Sequence, residues 1–152
     1  MASAGDFDFW LGEWKVSWHD EGKEQYGRNA ITMSFDGRVV HERFDGRPGV
    51  ELQGMSVSVL DEHRDRWLQT WVDDAGNYFA LEGRLVDGEM VLLCDRHNAA
   101  QADARYRMRF FDIEADSLAW TWERSLDGGE SYDVLWRLDY LRERAQPSAA
   151  DA

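Results

Sequence analysis

The chain has one cysteine, two prolines and four histidines in 152 residues, and each scarcity removes a class of protein. A lone thiol, Cys94, cannot close an internal disulfide, and one cysteine with four histidines offers no spacing of the zinc-finger or zinc-ribbon kind. Cys94 reads instead as a small apolar residue within a strand, and no metal site is expected. No apolar run approaches the ~18 residues of a membrane-spanning helix. The opening MASAGDFDFW has neither the basic region nor the unbroken apolar stretch of a secretion signal, so a cytoplasmic location is expected. Basic residues are outnumbered, 17 against 30, for a formal net charge of −13. The negative field repels phosphate backbones and anionic headgroups, which makes nucleic acid and membrane surfaces poor partners. Helix signals are scarce too: one short helical turn around Phe7 to Leu11 is the sole convincing segment.

Aromatic residues and turn dipeptides are abundant. Eight Trp, seven Phe and five Tyr stand among turn signals at Asp36-Gly37, Asp45-Gly46, Ala75-Gly76-Asn77, Asp87-Gly88 and Asp127-Gly128-Gly129. Between the turns, apolar and polar residues alternate. Trp14, Val16 and Trp18 interleave with Lys15, Ser17 and His19, and Ile31, Met33 and Phe35 with Thr32 and Ser34. Tyr106, Met108 and Phe110 interleave with Arg105, Arg107 and Arg109, and a last run carries Tyr132, Val134, Trp136, Leu138 and Tyr140. Period two is the strand signature. Ten strands follow, near 12–19, 24–35, 38–45, 51–60, 66–73, 77–86, 89–95, 104–113, 117–125 and 131–141.

Short links at hairpin spacing predict an antiparallel meander, and closing it removes the edges that an open sheet must protect. The expected fold is all-β: a single antiparallel up-and-down β-barrel domain over residues 1–144, with a disordered tail over 145–152 beginning at Ala145. Eight strands leave an interior that side chains fill or that holds one small ligand, and ten leave more room.

Parity along the strands then points to a site. In Arg38-Val39-Val40-His41-Glu42-Arg43-Phe44 either face carries an ionisable group. Placing Val40, Glu42 and Phe44 inward leaves one charge inside and puts His41 and Arg43 in solvent. A buried charge without a partner costs several kcal/mol, so the interior has to supply water, a counter-charge or a ligand. The plainer alternative makes Glu42 an edge or surface residue in an ordinary salt bridge. On residues 66–73, Trp67, Gln69, Trp71 and Asp73 share a face that suits a lining able to stack on and orient a ligand. The alternative makes the opposite face, with Leu68, Thr70 and Val72, the core. Leu118, Trp120 and Trp122 repeat the pattern, and Tyr132 with Trp136 would complete an aromatic wall. Arg105, Arg107 and Arg109 read as a solvated face, or, if one turned inward, as a partner for Glu42 or a ligand carboxylate. His19, His63 and His97 fall at strand ends or in turns.

The segment Phe7-Asp8-Phe9-Trp10-Leu11-Gly12-Glu13-Trp14, with Gln69-Thr70-Trp71-Val72-Asp73 and Trp122-Glu123-Arg124-Ser125-Leu126-Asp127-Gly128-Gly129, resembles a bacterial lipocalin-like (calycin-type) family of unknown function, over nearly the whole of residues 6–141. Gly12-x-Trp14 also resembles the lipocalin G-x-W of the first strand. The resemblance implies a barrel with an internal pocket, in which Phe7 to Leu11 form a short lid and Trp14 floors the barrel. A related barrel group, the nitrobindins, binds haem through an axial histidine near the last strands. Residues 117–141 contain no histidine, so neither haem nor another cofactor is expected.

Three functions fit these observations. One is the binding of a small hydrophobic or aromatic molecule, with Trp14, Phe44, Trp67, Trp71, Trp120, Trp122, Tyr132 and Trp136 as walls and Glu42 and Gln69 as polar orienters. Because indole faces attract ammonium groups, an amine or quaternary ligand is a refinement of it. The second is an isomerase or cyclase with Glu42 as general base, its pKa raised by desolvation, although no second catalytic partner is visible. The third is a solid barrel acting through its outer surface or in an oligomer, and a homodimer stays open.

Overall fold

Alternating residues become ten antiparallel strands in the computed structural model, which describes residues 1–94 and 104–144. They run β1 Gly12–Asp20, β2 Lys23–Ser34, β3 Val39–Asp45, β4 Gln53–Asp61, β5 Arg66–Asp73, β6 Tyr78–Val86, β7 Glu89–Cys94, β8 Arg105–Phe111, β9 Ser117–Ser125 and β10 Asp133–Arg142. His97 and the tail over 145–152 lie outside the described residues. Each strand pairs with its sequence neighbours, and β1 closes on β10 through pairs such as Val16 with Tyr140. Closure pairs both sides of every strand, which leaves no sheet edge. The fold is the up-and-down barrel that turn spacing predicts. Among the described residues no helix is long and apolar enough to cross a membrane.

Several boundaries differ from the sequence reading by one or two residues, and two of them have a clear local cause. β4 starts at Gln53 because residues 46–52 satisfy their own backbone, with Gly46 N–H donating to Leu52 C=O at 2.8 Å and Val50 N–H to Gly46 C=O at 2.9 Å. β10 starts at Asp133 and carries a register shift between Val134 and Trp136. An extra residue in one strand reverses the side-chain parity beyond it, with consequences for the site below.

One barrel end is sealed by the N-terminal segment. A single 3-10 turn, Asp8–Trp10, folds Phe7 and Trp10 into the barrel, where both are almost wholly buried. The Phe7 ring meets Trp67 edge-on at 4.9 Å and Phe110 at 5.8 Å, and Trp10 meets Phe110 at 5.0 Å. Offset and edge-on ring pairs of this kind add about 0.5–1.5 kcal/mol each beyond area burial. Trp14 Nε1 donates to the Trp10 carbonyl at 2.8 Å, and the Arg142 guanidinium lies 4.1 Å over the Trp14 ring while donating to the Leu11 carbonyl. Gly12 is required beside them: its φ is +121°, and a Cβ there would stand 2.5 Å from Arg142 Nη1. The expected lid is thus a fixed plug. Trp14 sits behind it, and Trp10 rather than Trp14 faces the interior.

Gly83 on β6 holds a second close approach. A Cβ at this position would lie 1.8 Å from the Val91 carbonyl oxygen on β7, so only a glycine lets the two backbones come this near. Gly83→Ala is expected to lower stability by about 1–3 kcal/mol, the usual cost of overpacking, measured as a shift in the urea unfolding midpoint. An unchanged midpoint would show that β6 and β7 part freely.

Candidate functional site

Inside the plugged barrel, strand parity decides which side chains meet. Val40, Glu42 and Phe44 are buried on the inner face of β3, while Arg43 is exposed on the outer one. On β5 the inward set is Trp67, Gln69, Trp71 and Asp73, and on β9 it includes Leu118, Trp120 and Trp122. These faces enclose a cavity of about 340 Å³, within the size range of small-molecule sites. A fully packed centre, the condition for a solid barrel, is not what the interior shows.

The cavity has three levels. Its walls are Phe44, Trp71, Phe79, Trp120, Trp122 and Trp136. Phe44 stands between Trp71 at 6.2 Å and Trp136 at 5.9 Å, and Phe79 contacts Trp122 at 5.1 Å. The rings hold one another in place and present apolar surface to the space between. At the mouth are Leu52, Asp73 and Asn77. Asp73 accepts hydrogen bonds from Trp71 Nε1 at 2.9 Å and from Asn77 Nδ2 at 3.0 Å. Burial opposes its ionisation, but those bonds outweigh burial and hold the carboxyl below its ordinary pKa. A wall indole is thereby fixed at the entrance.

The floor is polar at its centre. Trp10, Glu42 and Tyr140 line it beside Phe110. Glu42 Oε1 accepts from Ser56 Oγ at 2.7 Å and Oε2 from Asn29 Nδ2 at 2.7 Å. The same Asn29 nitrogen donates to the Tyr140 hydroxyl at 2.8 Å, so both of its protons are used and carboxyl and phenol share one anchor. Burial raises the pKa of Glu42, against the opposing hydrogen bonds from Ser56 and Asn29. Burial also raises that of Tyr140, helped by the nearby Glu42 charge, so the phenol keeps its proton. No acceptor for that proton is found among the described residues. The Trp10 indole N–H is close enough to ease ionisation of Tyr140 yet completes no hydrogen bond. Chemically, the floor offers a carboxyl able to exchange a proton and two donors with nothing to donate to.

Of the residues singled out in the sequence, Glu42, Phe44, Trp71, Trp120, Trp122 and Trp136 line this cavity. Four do not. Trp14 is packed behind the plug against Tyr140 at 5.6 Å. Trp67 is packed against Phe7 at the sealed end. Gln69 is buried with Nε2 donating to Ser58 Oγ at 2.9 Å, away from the lining. Tyr132 leaves the wall because the β10 register shift separates it in parity from Trp136; its ring instead lies 3.7 Å beneath the Arg107 guanidinium. Asn29, Ser56, Phe79, Tyr140 and Trp10 are the residues that sequence parity did not single out for the site, although Tyr140 already shared a face with Trp136.

The arginine row neither points inward nor stands free in solvent. Arg107 Nε bonds Glu123 Oε1 at 2.7 Å, and Arg109 bridges Glu89 at 2.7 Å and Glu123 at 3.3 Å. Glu123 is buried beneath them on the outer face, at 2% exposure. Burial pushes its pKa up, but bonds from Thr121, Arg107 and Arg109 prevail and keep it ionised. These cations are spent on the outside of the barrel and are not available to Glu42 or to a ligand carboxylate inside. Among the described residues no group of three or more His, Cys, Asp or Glu side chains is placed to hold a metal ion. Compared with protein-family models and with curated proteins, the chain matches none.

Proposed function

We propose that the protein binds a small hydrophobic or aromatic molecule within the barrel, in the manner of the lipocalin-like families that its motifs resemble. The observation that carries the reading is a cavity of about 340 Å³ walled by six aromatic rings, with a polar floor around Glu42. Aromatic walls supply non-directional affinity, and a few fixed polar groups set orientation. The reading includes a cytoplasmic setting without nucleic-acid or membrane partners, supported by the net charge of −13.

Titration with a library of neutral, cationic and anionic ring compounds, followed by intrinsic tryptophan fluorescence, tests this. Saturable quenching is expected for at least one class, because four of the eight tryptophans stand in the cavity wall. Absence of any saturable response across the library would remove the container reading. An enzymatic reading is favoured by one observation, the phenol of Tyr140 sharing Asn29 with the Glu42 carboxyl, since a second proton-handling group stands where the sequence offered one. Glu42→Gln is then expected to abolish turnover of any substrate found, while sparing its binding. Undiminished turnover in that variant would discard it.

A further inference from the structure

We infer that the floor of the cavity is a seat for a carbonyl oxygen, so that the ligand is a neutral ketone, aldehyde, ester or amide carried on an apolar ring system. The inference rests on the container reading above and gives it a chemical class.

The deep end holds unspent donors rather than unspent acceptors. Tyr140 is 3% exposed, accepts from Asn29 Nδ2, and has no acceptor for its own proton among the described residues. Trp10 is 1% exposed, and its indole N–H has no completed hydrogen bond. Both side chains line the cavity, and the Trp10 N–H is near the Tyr140 oxygen, so the two donors stand beside each other at the floor. A buried donor left unmade costs about 1–3 kcal/mol, and an sp² oxygen, with two in-plane lone pairs, satisfies two neighbouring donors together.

Charge decides between the acceptors. No lysine, arginine or histidine is among the described residues lining the cavity. A ligand carboxylate or phosphate at the floor would stand beside Glu42 with no cation to offset it. An ammonium group has only protons to offer to Tyr140 and Trp10, so it would leave both of those donors unmade. A neutral oxygen avoids both conflicts.

The test compares two naphthalenes of nearly equal shape, 2-acetylnaphthalene and 2-isopropylnaphthalene, by titration calorimetry on the full chain. The ketone is expected to bind at least about tenfold more tightly than the hydrocarbon. Tyr140→Phe is expected to reduce that ratio about fivefold, with hydrocarbon binding unchanged. Should that variant not fold, the carbonyl stretch of ¹³C-labelled ketone bound to the unmodified protein decides alone. It is expected at lower frequency than in a hydrocarbon solvent. Equal affinity for the two compounds, or a carbonyl frequency equal to that in hydrocarbon, overturns the inference and leaves the container reading intact. Binding of neither compound also overturns the inference, and the container reading is then decided by the fluorescence library.

Discussion

Phe7→Ala is expected to destabilise the protein by about 3–5 kcal/mol, the range for removing a buried aromatic ring from a core. Phe7 is wholly buried, and its ring touches Phe9, Trp10, Trp67 and Phe110. The neighbours are large rings fixed by one another, so little collapse into the vacated space is available, and the cavity term adds to the lost transfer energy. Strand pairing does not depend directly on this residue. The loss is therefore a measure of how far the N-terminal plug belongs to the cooperative core. Urea unfolding of the variant beside Phe35→Ala checks it, since Phe35 is 77% exposed and a surface truncation stays within about 0.5 kcal/mol. If the two variants unfolded at the same urea concentration, the plug would be a detachable segment.

Removing the titratable group at Glu42 is expected to change how stability depends on pH. Burial raises the folded-state pKa of Glu42 above its ordinary value of 4.5, so the folded chain holds this proton to a higher pH than the unfolded chain does. The contribution is whole below about 4.5 and is lost as pH climbs through the folded pKa, with a limiting slope of about 1.4 kcal/mol per pH unit for one proton. Tyr140, also raised by burial, acts in the same direction at more alkaline pH. Asp45, Asp61 and Asp73 are lowered, as is Glu123, and they act oppositely, losing their contribution as pH falls. The difference between wild type and Glu42→Gln cancels these shared groups. A glutamine at this position keeps the acceptor for Asn29, and the Ser56 hydroxyl can turn to accept, so folding is retained. Stability of the variant relative to wild type is expected to rise between pH 5 and the folded pKa. Parallel curves from unfolding at a pH series would mean that Glu42 ionises in the barrel as freely as in water.

The two variants probe features of differing legibility. Alternation and turn dipeptides marked all ten strands, because the period of two and the glycine-bearing turns are local properties of the chain. Orientation of β3 was legible as well. Val40, Glu42 and Phe44 place one ionisable side chain inside, whereas the opposite face would bring in His41 and Arg43, and desolvation makes the first arrangement the cheaper one. The same rule failed at Tyr132, where the register shift before Trp136 inserts one residue and swaps the faces. Nothing in Tyr-Asp-Val-Leu-Trp announces that shift, since it depends on which residue of β9 is paired.

Composition, turn chemistry and alternation by themselves marked an acidic, ten-stranded antiparallel meander, because each is a property of residues close in the chain, and they left two faces open for Glu42 and the tryptophans of β5, with desolvation favouring the inward one for Glu42. Only the tertiary structure decided how deep each inward residue sits. Trp14, Trp67 and Gln69 share the interior parity of Trp71 and Trp120, yet the 3-10 turn at Asp8–Trp10 fills the end they occupy and leaves the cavity to the other end. It also decided that Asn29, Ser56 and Tyr140, from three different strands, converge on Glu42. Depth along a barrel is set by the stagger of strands around its whole circumference, a quantity that no single stretch of sequence contains.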